Sequence, residues 1–461
     1  MPSAPRPTRA TPRHRKRVFF VNLGCPKNQV DGERILGRLE AAGAEIVGDP
    51  EAADTLIVNT CAFIDAARAE SVDALLDAAA WKEARPGRRV IAAGCLVQRA
   101  AGELVSSIPE LDGLLAPARI ESSEAVLGPE PPRHPDGGPG RVSLPAAGEP
   151  RHLLSPPHSV YVKIAEGCDQ SCAFCAIPAF RGRQRSRRIE DVVREVAAHA
   201  AAGAAEVNLI AQDSTGYGRD LGLREGLAQL IEALDGLAEG PPWVRIHYLY
   251  PGRISDRLVE AMARSSRVVE YVDLPLQHAD PEILRRMRRP GSPDAYLELL
   301  DRLRAALPGA GVRSGFIVGF PGETDAQFER LCRFVEQAGF DAVGVFAYSH
   351  EEGTAAASLR DDIPAAVKLE RKAALEEIAA EVARARNEAR VGQELEVLVD
   401  GEAEDRPGWI AGRWRGQAPE VDGRVLAPRP RRAPRPGERV RVRVTSAGPA
   451  ELIGRIAGEE R

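Results

Sequence analysis

Cys168, Cys172 and Cys175 stand in the stretch Glu166-Gly167-Cys168-Asp169-Gln170-Ser171-Cys172-Ala173-Phe174-Cys175, directly after an apolar run at 160–164. The CxxxCxxC spacing puts three thiolates in one short loop, enough to hold three irons of a cubane 4Fe-4S cluster and leave the fourth open to a small molecule. Structural zinc, the other common use of a CxxC pair, wants four protein ligands, and no second CxxC or HxxxH occurs in the chain. The position constrains the fold as much as the chemistry. A ligand loop that directly follows an apolar strand belongs at that strand's carboxyl end, where βα barrels carry their sites.

The pattern around this loop agrees with such a fold. From 159 onward strand-like runs at 160–164, 206–211, 244–249, 268–274, 312–319 and 341–346 alternate with helical stretches such as 189–202, 223–237 and 325–338. Six βα units predict an open or partial barrel, since a full barrel has eight strands. A separate α/β series precedes it, with strands expected at 18–23, 55–59, 90–93 and 111–115 and helices at 31–41, 66–80 and 98–106. That alternation predicts a parallel sheet covered by helices. The segment 128–151 is crowded with Pro, Gly and isolated charges and reads as a linker. Pro364 opens a charged helix to about 390, and after it the texture turns to β, with strands expected at 395–399, 409–414 and 440–445. Turns are expected at Asp400-Gly401, Asp422-Gly423 and Pro436-Gly437. About seventy residues suffice for a small five-stranded barrel.

At 461 residues the chain is too long for one core, and its net charge of -5 argues against a surface that coats nucleic acid generally. The domains expected are a basic arm at 1–16, an α/β domain at 17–127, the linker at 128–151, the barrel at 152–387 and the β domain at 388–461. The arm, with Arg6, Arg9, Arg13, Arg15 and Lys16 among prolines, lacks the apolar stretch of a signal peptide. No segment has the ~20 apolar residues of a membrane span, so a cytoplasmic protein is expected. The β domain carries 13 acidic and 14 basic residues, too balanced to choose between an RNA and a basic protein as its partner.

Cys25, Cys61 and Cys95 are far apart in sequence, yet each lies within two residues of the end of a predicted strand. Parallel strands open their carboxyl ends onto one edge, so three thiolates could converge there as a second cluster site. Scattered cysteines are more often buried and inert, but Gly24-Cys25-Pro26, Asn59-Thr60-Cys61 and Gly94-Cys95 are loop formers and make burial less natural. Cys332, between Leu331 and Phe334 on an amphipathic helix, reads as core packing.

From Arg17 to about Ala457 the chain resembles the radical S-adenosylmethionine methylthiotransferases, which share the order of an N-terminal cluster domain, a radical barrel and a C-terminal TRAM-type β domain. It is most similar to the branch acting on ribosomal protein twelve of the small subunit. The residues carrying that closer likeness are Leu23-Gly24-Cys25-Pro26-Lys27-Asn28, Asn208-Leu209-Ile210-Ala211-Gln212-Asp213, Arg245-Ile246-His247-Tyr248-Leu249-Tyr250-Pro251 and Pro419-Glu420-Val421-Asp422-Gly423. The resemblance implies that Cys168, Cys172 and Cys175 hold the radical cluster and that Cys25, Cys61 and Cys95 hold an auxiliary, sulfur-donating 4Fe-4S cluster. It implies insertion of a methylthio group at the β-carbon of an aspartate, with S-adenosylmethionine as both radical source and methyl donor. A saturated C–H bond resists acids, bases and nucleophiles, so the cofactor must supply a radical. Implied partners are the ribosomal protein, free or ribosome-bound, an electron donor such as a flavodoxin or ferredoxin, and ribosomal RNA touched through the TRAM domain, with no membrane. The alternatives are the same chemistry on a tRNA adenosine, and a non-catalytic iron-sulfur RNA-binding protein.

Other residues admit two readings each. Gly315 to Thr324, with Gly319 and Glu323, ends a strand and opens a helix, so it could line an adenine pocket or be a capped turn. Gln212, Asp213 and Ser214 could bond the cofactor or form a turn. Of Arg181, Arg183, Arg185, Arg187 and Arg188, one or two could clamp a substrate carboxylate. His247 and His278, at strand ends, read as structural.

Overall fold

The structure, a computed structural model, describes residues 15–133 and 141–458. The basic arm falls almost wholly outside the described residues, as does the middle of the linker. Two compact units emerge: residues up to 138 except 63–65, with 150–152 added, and the remainder of the chain.

In the first unit β1 (Arg17–Asn22), β2 (Glu45–Ile46), β3 (Thr55–Thr60), β4 (Arg89–Gly94) and β5 (Gly113–Leu115) form a parallel sheet in the order β2-β1-β3-β4-β5. Helices α1 (Pro26–Ala41), α2 (Asp65–Glu83) and α3 (Cys95–Ser107) connect them. β3 is buried along its whole length, as a central parallel strand with two covered faces must be. Helix α1 begins five residues before the sequence suggests. Cys25 is its N-cap in extended backbone and Pro26 occupies the first turn, where a fixed φ suits the helix and a missing N–H costs nothing.

The second unit opens with β6 (Ser159–Lys163), which runs into the cysteine loop. The flanks of that loop pair as a two-residue ladder, β7 (Ala165–Glu166) with β8 (Arg185–Ser186). Then β9 (Glu206–Ile210), β10 (Trp243–Ile246), β11 (Tyr271–Gln277), β12 (Gly311–Val318) and β13 (Ala342–Ala347) follow in parallel, as sheets β10-β9-β6 and β11-β12-β13 joined by a bridge between Val244 and Val268. These are the six βα units expected. Two boundaries differ. β10 stops at Ile246 because Tyr248 takes φ +61 and turns the chain, and the strand expected at 268–274 lies at Tyr271–Gln277, with only the bridge at Val268. Alternate residues such as Val160, Val162, Val207, Leu209, Val244 and Val272 pack outward under the helices in one apolar core. Their neighbours Lys163, Glu206, Asn208, Arg245, His247 and Asp273 occupy the opposite face and are nonetheless buried, so the interior of the barrel is polar.

After the helix Ala365–Glu388, which packs on β13 and on the helix Asp325–Ala338, β14 (Glu394–Glu402), β15 (Trp409–Trp414), β16 (Arg424–Pro428), β17 (Arg439–Ala447) and β18 (Glu451–Ile456) close a small barrel. Asp400-Gly401 is not the turn expected of it; the register shifts there, and β14 continues through a bulge. This barrel covers the amino-terminal end of the larger one. Leu398 and Ala418 cluster with Trp243 and Tyr271, the first residues of β10 and β11, and the Asp422 carboxylate accepts from the Tyr271 hydroxyl at 2.6 Å. Arg413 pairs with Glu206 at 2.7 Å, and Arg245 donates to the Arg415 carbonyl at 2.8 Å. Among the described residues no helix is long and apolar enough to cross a membrane.

Candidate active site

Cys168, Cys172 and Cys175 sit at the carboxyl end of β6, all three as thiols. Burial pushes Cys168 up to about 11 and Cys175 up to about 12, and each thiol is close enough to its neighbours to add to the rise. The loop is nevertheless built to receive negative sulfur: the Gln170 amide points at Cys168 Sγ (3.4 Å) and Arg289 Nη1 at Cys172 Sγ (3.7 Å). Among the described residues no three His, Cys, Asp or Glu side chains gather tightly enough to share one ion. Three thiols from one loop suit one thiolate per iron better than a structural zinc, which wants four protein ligands.

Glu166 anchors the base of this loop. Its carboxylate meets Lys163 Nζ at 2.7 Å and Arg181 Nη1 at 3.0 Å, and accepts from Gln212 Nε2 at 2.6 Å, all in a fully buried position. Burial alone would raise its pKa, but Arg181 and Lys163 outweigh burial and hold the group well below the usual carboxylate range. Gln212 is thereby oriented, and its Oε1 is buried with no hydrogen-bond partner among the described residues. Asp213 accepts from Gln170 Nε2 at 2.8 Å, pairs with Arg253 at 3.1 Å and caps the turn at Gly216, so it braces the cysteine loop from below. Ser214 is satisfied internally: its hydroxyl donates to the His247 carbonyl and its amide to that of Tyr248. Glu323 accepts from the Gly319 amide at 2.8 Å and pairs with Arg371 at 3.0 Å, while Thr324 and Gln327 form a full capping box. The strand-to-helix segment is therefore a tightly tied turn whose glycine amide is already engaged.

The five arginines after the loop are mostly committed elsewhere. Arg181 serves Glu166, Arg187 bonds Asp191 and Glu195, Arg185 reaches the Val142 carbonyl, Arg183 pairs with Asp169, and Arg188 precedes a helix as its N-cap. His247 lies between Asn208 and Asp273, and His278 takes the Asp280 amide on Nδ1 and faces Glu323 with Nε2. His247 has the structural surroundings expected of it, whereas His278 Nε2 is buried with no hydrogen-bond partner among the described residues. Cys332 packs against the main apolar core.

In the first unit Cys25 precedes α1, Cys61 follows β3 and Cys95 begins α3, so all three lie on the carboxyl edge of one parallel sheet. Cys61 and Cys95 are buried, against the expectation from their loop-forming neighbours. The loops approach closely because glycine permits it. A Cβ on Gly24 would lie 3.0 Å from Cys61 Sγ, and one on Gly94 would lie 2.5 Å from the Thr60 carbonyl oxygen; both glycines have positive φ. Asn28 ties the three loops together: Nδ2 donates to the Leu23 carbonyl at 2.8 Å and the Thr60 carbonyl at 3.1 Å, and Oδ1 lies 3.6 Å from Cys95 Sγ.

Family models match in the same order as these parts: an uncharacterized protein family, UPF0004, over residues 17–116, the radical SAM superfamily over 162–335 and the TRAM domain over 391–457. Among curated relatives, the ribosomal protein uS12 methylthiotransferase RimO of Sorangium cellulosum is 45% identical, the match covering 96% of this chain and 92% of that protein. The RimO of Anaeromyxobacter sp. is 43% identical, with 96% and 94% covered. This chain belongs to the RimO family. A RimO member is a radical S-adenosylmethionine methylthiotransferase with S-adenosylmethionine and two 4Fe-4S clusters as cofactors. Among solved structures, the radical S-adenosylmethionine methyltransferase TsrM from Kitasatospora setae, with tryptophan and a cofactor analogue bound, superimposes with a TM-score of 0.52 at 14% identity. That match covers 72% of this chain and 73% of that one, a likeness of fold.

Both cysteine sets fit the clusters a RimO chain carries: each offers three thiols at strand ends, and the loop set has donors aimed at its sulfurs. Sequence reasoning gave no role to Lys163, Arg289 or Asn28. A lysine inside the run Val160-Tyr161-Val162-Lys163-Ile164, three residues before a glutamate, was the available signal for the first. Arg289 carried none, because its partner lies 117 residues away.

Proposed function

We propose that this chain inserts a methylthio group at the β-carbon of an aspartate in ribosomal protein uS12. The observation that carries the reading is the pair of three-thiol sets, each at the carboxyl ends of parallel strands, within a chain of the RimO family. In this reading Cys168, Cys172 and Cys175 hold the radical cluster and Cys25, Cys61 and Cys95 the auxiliary one. When bound, these groups supply cleavage of S-adenosylmethionine to a carbon radical and a sulfur atom for transfer. The chain's own residues position them. Glu166 fixes Gln212, whose Oε1 is left to accept a hydrogen bond from the cofactor, and Asp213 holds Gln170 and with it the cysteine loop. The segment from Gly315 to Thr324, with Gly319 and Glu323, would line the adenine side of the cofactor.

The domain limits follow the order given above, with the protein working in the cytoplasm and drawing electrons from a flavodoxin or ferredoxin. Ribosomal RNA would meet the outer face of β17, where Arg439, Arg441 and Arg443 are exposed.

The test is anaerobic incubation of the reconstituted protein with S-adenosylmethionine, a reductant and sulfide, offered uS12 and bulk tRNA separately, each then read by mass spectrometry. A methylthio gain on one aspartate is the expected result. A gain on a tRNA adenosine would keep the chemistry and overturn the substrate.

A further inference from the structure

We propose that Arg289 is a positioning residue that sets the reduction potential of the cluster on the Cys168, Cys172 and Cys175 loop by holding a fixed cation against the Cys172 sulfur. The inference rests on the reading that this loop carries the radical cluster. Arg289 is 7% exposed, and its Nη1 lies 3.7 Å from Cys172 Sγ. Three contacts fix it. The guanidinium lies 4.3 Å over the Tyr250 ring, Nη2 donates to the Pro275 carbonyl, and the Arg289 amide donates to the Leu284 carbonyl at 2.8 Å. The same stretch of chain is tied to the loop directly, through the Ala173 amide and the Met287 carbonyl at 2.9 Å.

Its charge balance sets it apart from the other cations around the site. Arg181, Arg187 and Arg253 each face a carboxylate at hydrogen-bonding distance. Among the described residues no carboxylate pairs with Arg289, and its Nε is buried with no hydrogen-bond partner. A buried cation without a counterion is costly, and the anion this one faces is the sulfur of the cysteine loop. A cluster ligated by three thiolates supplies that negative charge and gains one more on one-electron reduction. N–H···S bonds and nearby charge are among the levers that set such potentials. The fixed cation stabilises the reduced state more than the oxidised one, so it eases electron entry from a low-potential one-electron donor. Tyr250 holds the guanidinium in place by its ring face.

The test is a redox titration of the reconstituted full chain with dithionite, followed by electron paramagnetic resonance, alongside iron content. Arg289→Gln should keep its iron and show a midpoint shifted to more negative potential, with less of the cluster reduced at a fixed poise. Arg289→Lys, which restores the charge, should return the midpoint most of the way. If Arg289→Gln does not retain the cluster, Tyr250→Leu, which keeps the cation but removes its support, should shift the midpoint in the same direction. An unchanged midpoint with full iron would overturn the inference, as would equal shifts in the Gln and Lys variants, or an effect confined to S-adenosylmethionine affinity. Wild-type protein that binds no iron at Cys168, Cys172 and Cys175 would instead overturn the reading beneath it.

Discussion

Asn28 shows how one side chain can organise three distant pieces of chain. Its carboxamide spends both N–H groups on the Leu23 and Thr60 carbonyls and turns its oxygen toward Cys95. Asn28→Leu keeps the volume and removes every one of these bonds, leaving the buried Thr60 carbonyl short at a cost of about 1–3 kcal/mol and the part-buried Leu23 carbonyl short at a smaller one. Iron per chain should then fall from about eight toward about four, while cleavage of S-adenosylmethionine continues at the barrel loop. Iron assay and cofactor cleavage, run on one preparation, check both halves of that statement. At this scale the sequence was legible wherever spacing itself is chemistry, as at CxxxCxxC. It was silent where the partner arrives through the fold. Asn28 stood in plain view two residues after Pro26, and nothing local says that it reaches Thr60.

Strand ends are the elements that do the positioning here, and their exact stopping points matter more than their existence. β4 ends at Gly94, where the chain takes φ +90 and ψ -159 before Cys95 opens α3. That region of backbone space is almost closed to other residues, at about 1–3 kcal/mol. A Cβ there would also sit 2.5 Å from Asn59 Oδ1 and from the Thr60 carbonyl oxygen. Gly94→Ala should therefore lower the denaturation midpoint of the apoprotein and displace Cys95, reducing auxiliary iron and sparing the iron at the barrel loop. Alternation of apolar runs with amphipathic stretches was enough to read all six barrel strands and four of the five in the parallel sheet before them, missing the two-residue edge strand β2. It misplaced β11 by three residues because Val268 and Val269 look like strand, yet only Val268 bridges. It misread Asp400-Gly401 because a bulge and a turn use the same residues.

At the scale of the molecule, the C-terminal barrel is joined to the radical barrel by buried charge. Burial would raise the Glu206 carboxyl, but Arg413 and Arg245 pull it down to about 2 from an ordinary 4.5. A depressed carboxylate contributes stability above its unfolded pKa that is lost as pH falls from about 4.5 toward about 2. Glu206→Gln should be less stable at neutral pH, since it leaves two buried guanidiniums facing each other, and should show a flatter acid limb between those values. Circular dichroism melts across that range measure both. The Asp422 carboxylate, from a stretch that marks the branch in sequence, meets Arg313 and the Tyr271 hydroxyl at the starts of β12 and β11. The two barrels therefore share a floor, and neither owns all of its acids and bases. For a protein engineer this makes the C-terminal domain a poor cassette. A graft from a distant relative would have to bring counterparts of Arg413 and Asp422 with it, and over generations these residues are expected to change together with Glu206, Tyr271 and Arg313 or not at all.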